Sequence, residues 1–185
     1  MLRTTLIFGL AAGFLLACLE WIIYPLCYRG YITLDNSSYI GFAGMLIAFS
    51  MIYFGIRSYR DTQGGVTFWK AVQIGLLITL IGALLHAAGW HIYNFINPDF
   101  KDFFIQKFTE YKTSSMTAAT DQAAIDAVKH EIEIMRTIYE NPLVDLVFSM
   151  LMIAPAGIVI TLISAFLLRS KTSAPGTGGR SNKKD

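Results

Sequence analysis

The sequence predicts an all-α membrane protein, with four transmembrane helices and an extracytoplasmic amphipathic helical hairpin between the third and the fourth. Composition is the first reason. Of 185 residues, 54% are hydrophobic and only 15% charged, with a mean hydropathy of +0.49, whereas a soluble domain runs at roughly 45–50% apolar. Patterning is the second: four charge-poor stretches approach or exceed the roughly 20 residues that cross a hydrocarbon core of about 30 Å. A single charge-rich segment with helical periodicity separates the last two.

Helix one, expected over about residues 4–28, follows Arg3 and ends among Trp21, Tyr24, Tyr28 and Tyr31, the residue types that anchor a helix end at the membrane interface. Within it Leu15-Leu16-Ala17-Cys18 resembles a lipoprotein signal in which Cys18 takes the lipid. Apolar sequence continues through Leu19, Trp21, Ile22 and Ile23, so an uncleaved helix is the expectation. Cys18 and Cys27 then lie about 13 Å apart along one helix, too far to bridge.

Helix two, about 39–57, follows the polar turn Asp35-Asn36-Ser37-Ser38 and stops at Arg57. A short basic cytoplasmic loop is expected next, carrying Arg57, Tyr59, Arg60, Asp61, Gly64, Gly65 and Lys70, with the paired glycines at a tight reversal. Helix three, about 67–96, exceeds what the bilayer needs and is expected to tilt or emerge. Helix four, about 142–169, opens at Asn141-Pro142, where proline suits the first turn, and Pro155 predicts a kink.

The insertion, residues 97–141, differs in kind. After the start signal Asn97-Pro98-Asp99, Phe100, Phe103, Phe104, Phe108 and Tyr111 recur at steps of mostly three and four. Following a break at Thr113-Ser114-Ser115, Ile125, Val128, Ile132, Met135 and Tyr139 form one face of a second helix. These stripes either pack on each other and the membrane interface or form a partner-binding groove.

Orientation follows from counting Lys and Arg near the span ends. Arg3, Arg57, Arg60, Lys70, Arg169 and Lys171 fall on one side. The other side has Arg29 and the acids Asp99, Asp102, Glu110, Asp121, Asp126, Glu131, Glu133 and Glu140. The first side is therefore expected to be cytoplasmic, with both termini there, and residues 170–185 to form a disordered basic tail near anionic headgroups. A net charge of +2, without basic residues interleaved with aromatics, excludes a nucleic-acid platform.

Ionisable side chains inside a bilayer cost roughly 2.5–3.5 kcal/mol for a central Asp, Lys or Arg, so each marks a candidate site. Glu20, His86, His91 and Asp145 all fall in the expected outer half. They form either a structural pair that fixes helix register, a proton- or substrate-handling site, or a metal site. The metal reading is geometrically weak, because His86 and His91 lie about 140° apart around one helix. His86 lines up instead with Trp90 and Gly82, and His91 with Asn94. No catalytic motif and no cofactor signature occurs, so no cofactor is expected. Gly9 and Gly13, with Gly75 and Gly82, allow close helix approach, either within the bundle or along a homodimer seam.

The run Phe54-Gly55-Ile56-Arg57-Ser58-Tyr59-Arg60-Asp61, then Gly64-Gly65, Phe68, Lys70-Ala71 and Gly75, resembles the bacterial membrane family called domain of unknown function 4199. Pro98-Asp99-Phe100 and Asn141-Pro142 extend the resemblance over almost everything before the tail. It implies a four-helix inner-membrane protein with an extracytoplasmic insertion, and it carries no established activity or site residue. Three functional readings stay open: a non-enzymatic accessory or interaction subunit whose partner is another membrane protein or a second copy, a small proton-coupled carrier, and a metal-dependent membrane enzyme.

Overall fold

The structure is a computed structural model that describes residues 1–116 and 122–170. Among these there are six helices and no strand: α1 (Leu2–Tyr28), α2 (Leu34–Gln63), α3 (Phe68–Ile96), α4 (Pro98–Met116), α5 (Gln122–Glu140) and α6 (Pro142–Leu168). Helices α1, α2, α3 and α6 are long and apolar enough to cross a membrane. This is a multi-pass membrane protein. The expected tail lies outside the described residues, apart from Ser170.

Local chemistry sets the helix ends. Gly30 closes α1 in the left-handed region at φ 75; its N–H donates to the Cys27 carbonyl and that of Tyr31 to the Leu26 carbonyl. Together these satisfy two carbonyls that a helix end leaves open. The backbone of α1 runs through Cys18 uninterrupted, and Cys18 and Cys27 are both unbridged. Thr33 caps α2, its hydroxyl accepting from the Asn36 N–H, and Gly64 ends it at φ 72. Thr67 caps α3, and Asn141 caps α6 by accepting from the N–H groups of Leu143 and Val144.

Three boundaries differ from the sequence reading. Helix α2 begins at Leu34 rather than near 39, because the Thr33 cap turns the polar run that follows into the first helical turn. It also continues to Gln63 rather than ending at 57. Arg57, Tyr59, Arg60 and Asp61 therefore lie on a helix and not in a loop, with Asp61 3.7 Å from Arg57 one turn before it and 3.1 Å from Arg60. Likewise α4 runs through the anticipated break at 113–115 to Met116; serine and threonine lower helix propensity without ending a helix.

The membrane helices pack through small residues. Gly9 and Gly13 of α1 lie against Ile81 and Leu85 of α3, so close that a Cβ on Gly9 would stand 2.8 Å from the Ile81 Cβ. Gly75 of α3 receives Thr161 of α6, and Gly157 of α6 receives Thr79 of α3, a reciprocal fit along one seam. Gly82 faces Phe49 of α2. Phe49, Ile52, Ile56, Ile74 and Ile78 fill the centre and are fully buried. Ile7, Phe14, Leu80, Leu151 and Phe166 stay exposed, which suits a surface solvated by lipid tails rather than water.

At one end the start of α1, the α2–α3 turn and the end of α6 come together, where the Ser170 N–H donates to the Val66 carbonyl and the Val66 N–H to the Ser170 hydroxyl. At the other, α4 and α5 sit against the ends of α1 and α3 and the start of α6. There Trp90, Tyr93, Phe100 and Tyr139 form a second buried cluster, backed by Phe103, Phe104 and Met135. The aromatic stripe of α4 is thus largely used inside the molecule.

Candidate functional site

The polar cluster is organised around that second core. Glu20, on α1, is 7% exposed. Its Oε1 accepts from the Tyr24 hydroxyl at 2.7 Å and lies 2.6 Å from His86 Nδ1, an ion-pair distance when the imidazole is protonated, without the alignment of a hydrogen bond. Its Oε2 is buried with no hydrogen-bond partner. That oxygen rests over Gly89 of α3, where an added Cβ would stand 3.0 Å away.

Asp145, in the first turn of α6, is 2% exposed. Both of its oxygens accept from the Trp90 indole N–H, each at 3.2 Å, and Oδ1 accepts from the Ser149 hydroxyl at 3.4 Å. The Lys101 ammonium, on α4, lies 3.9 Å from Oδ2. Lys101 also donates to the Tyr139 backbone carbonyl at the end of α5. A carboxylate in the first turn is further favoured by the helix dipole. One acid of α6 thus links α3 and α4 directly, and α5 through Lys101.

Aromatic rings join the two acids. The Tyr24 ring stands 5.5 Å from Trp90, 5.1 Å from Tyr93 and 5.2 Å from Phe100, while Trp90 meets Phe104 and Tyr139 at 5.6 and 5.7 Å. Burial, and then the negative charge of Asp145, push the Tyr139 phenol well above its usual range, so it stays neutral.

Of the four residues singled out from sequence, Glu20 and His86 are in contact, and Asp145 is joined to them only through Tyr24 and Trp90. His91 stands apart, as its angular offset from His86 requires; its Nε2 is buried without a partner, as is the Asn94 Oδ1. Among the described residues no three His, Cys, Asp or Glu side chains come together as a metal-holding group. Tyr24, Ser149 and Lys101 were not anticipated. The first two follow Glu20 and Asp145 by one helical turn, a spacing that places side chains side by side; nothing local marks Lys101.

A family model described as a protein of unknown function, DUF4199, matches residues 7–170. The chain belongs to the DUF4199 family. Neither a curated protein nor a solved structure matches it. In this DUF4199 protein the matched region contains every residue of the cluster, from Glu20 to Ser149, together with the α4–α5 hairpin.

Proposed function

We propose that this DUF4199 protein is a non-enzymatic interaction subunit of the bacterial inner membrane that presents the α4–α5 hairpin as a rigid contact surface on the extracytoplasmic side. The observation that carries the reading is the Asp145 clamp. Trp90, Ser149 and Lys101 all converge on one buried carboxylate, and through Lys101 the hairpin is fixed to the membrane helices. A buried charge matched in this way resists reorganisation, because each hydrogen bond to a charged group contributes about 1.5–3 kcal/mol. That suits a mount better than a moving gate.

Charge supports the orientation. Arg3, Arg57, Arg60, Lys70 and Arg169 gather at the short-loop end opposite the hairpin, as cytoplasmic ends do, while on the hairpin Lys101, Lys107, Lys112, Lys129 and Arg136 are interleaved with a larger number of acids. Since Gly9 and Gly13 are filled from within by α3, a homodimer would use another face. Photocrosslinkers placed at Ile134 and Glu133, both exposed on α5, should capture the same discrete partner repeatedly in cells. Capture of nothing above background would sink the reading.

A proton-coupled carrier is the second reading, favoured by the unpartnered Glu20 Oε2 beside His86. It requires that Glu20→Gln abolish a flux while the protein stays folded. Loss of thermal stability without any loss of flux marks the pair as structural.

A further inference from the structure

Between α4 and the last turn of α5 lies a groove of about 910 Å³, near the upper end of the roughly 300–1,000 Å³ of small-ligand sites and large enough for a short chain segment. It is lined by the polar face of α4, whose aromatic face is engaged with Trp90, Tyr93 and Tyr139.

The charges that line it are unevenly committed. The Lys101 ammonium is held by Asp145 and the Tyr139 carbonyl, and Glu110 by Lys107 at 2.6 Å. Asp102, Glu140 and Arg136 are exposed, and none of them enters an ion pair among the described residues. Two acids and one base thus remain uncommitted. Glu140 also lies at the C-terminal end of α5, where the helix dipole adds negative potential.

We propose that this groove binds a segment of a partner protein through its basic side chains, with Asp102 and Glu140 receiving an arginine or lysine. The proposal rests on the reading of the hairpin as a contact surface and names the partner chemistry. Arginine fits best, since its planar, always-charged fork matches carboxylate geometry. Arg136 opposes a second cation and so restricts where the basic group enters. Being exposed, the contact weakens with salt.

The test titrates the full chain in a neutral maltoside detergent with an end-capped tetra-arginine peptide and an end-capped tetra-glutamate peptide. The arginine peptide should bind saturably and the glutamate peptide should not. The double variant Asp102→Asn with Glu140→Gln should bind roughly tenfold more weakly, as expected when charge pairs worth about 1.4 kcal/mol are lost. Asp126→Asn, on α5 and outside the groove, changes charge without touching it and should leave affinity unchanged. Arg136→Ala should tighten binding.

Equal weakening by Asp126→Asn would overturn the proposal as a diffuse charge effect. So would undiminished binding to the double variant, or weaker binding to Arg136→Ala. Peptide failure together with a partner crosslinked at Ile134 overturns the groove chemistry and leaves the contact surface standing. Failure of both overturns the two together.

Discussion

Replacing Trp90 by Phe isolates the clamp on Asp145. The change keeps a ring in the second core but removes the indole N–H that both Asp145 oxygens accept. Asp145 is 2% exposed and, among the described residues, keeps Ser149 at 3.4 Å and Lys101 at 3.9 Å, so the lost donor leaves a buried charge short of a partner. A hydrogen bond to a charged group contributes about 1.5–3 kcal/mol. The smaller ring adds a packing loss, which Trp90→Phe makes equally with and without the Asp145 carboxylate, so that it cancels in a cycle. The two parts are separated by a double-mutant cycle of Trp90→Phe and Asp145→Ala, which leaves no side-chain acceptor for the indole, read by unfolding in dodecyl sulfate titrations. A coupling of about 1.5–3 kcal/mol is expected, the contribution of a hydrogen bond to a charged group. Coupling within about 0.5 kcal/mol of zero would refute the clamp, and with it the argument that the hairpin is rigidly mounted.

Three further outcomes follow from the same geometry. Gly13→Val puts a branched side chain where a Cβ alone would stand 2.6 Å from the Leu85 Cβ. It should destabilise the α1–α3 packing by about 1–3 kcal/mol, seen as an earlier dodecyl sulfate midpoint; the same change at Gly41, where a Cβ meets nothing within 4 Å, should cost less. Lys101→Met keeps the aliphatic stem and removes the charge near Asp145 and the donor to Tyr139. It should speed hydrogen exchange in α4 and α5 while leaving α2 unchanged, and equal acceleration everywhere would count against a local role. The hydrogen bond from Lys107 holds the exposed Glu110 carboxyl below its usual range. A depressed folded-state value means a contribution to α4 that is full above the ordinary carboxylate range and fades as pH falls through the lowered one. Carboxyl NMR titration should show Glu110 returning toward its ordinary value in Lys107→Ala.

The candidate site was partly legible. Each acid could be named from sequence alone, because a carboxylate in apolar surroundings stands out wherever the fold places it. The i,i+4 rule then reaches Tyr24 from Glu20 and Ser149 from Asp145. It does not reach Lys101, which comes to Asp145 from another helix, nor does it join Trp90 to Asp145, since 55 residues separate them.

What the sequence determines by itself is local. Four apolar stretches of sufficient length, the opening of α6 at Asn141-Pro142 and the periodicity of the hairpin follow from hydropathy and from backbone hydrogen bonding, which act over one or two turns. The ends of α2 were misjudged for the same reason. Charge and polarity suggest a loop, yet the Thr33 cap and the left-handed Gly64 decide where the backbone bonds can continue. Only the tertiary structure decides which helix fills Gly9 and Gly13, that it is His86 that meets Glu20, and that Asp145 holds α3 and α4 together. These depend on helix rotation and contact across long sequence separation, which no single stretch of chain contains.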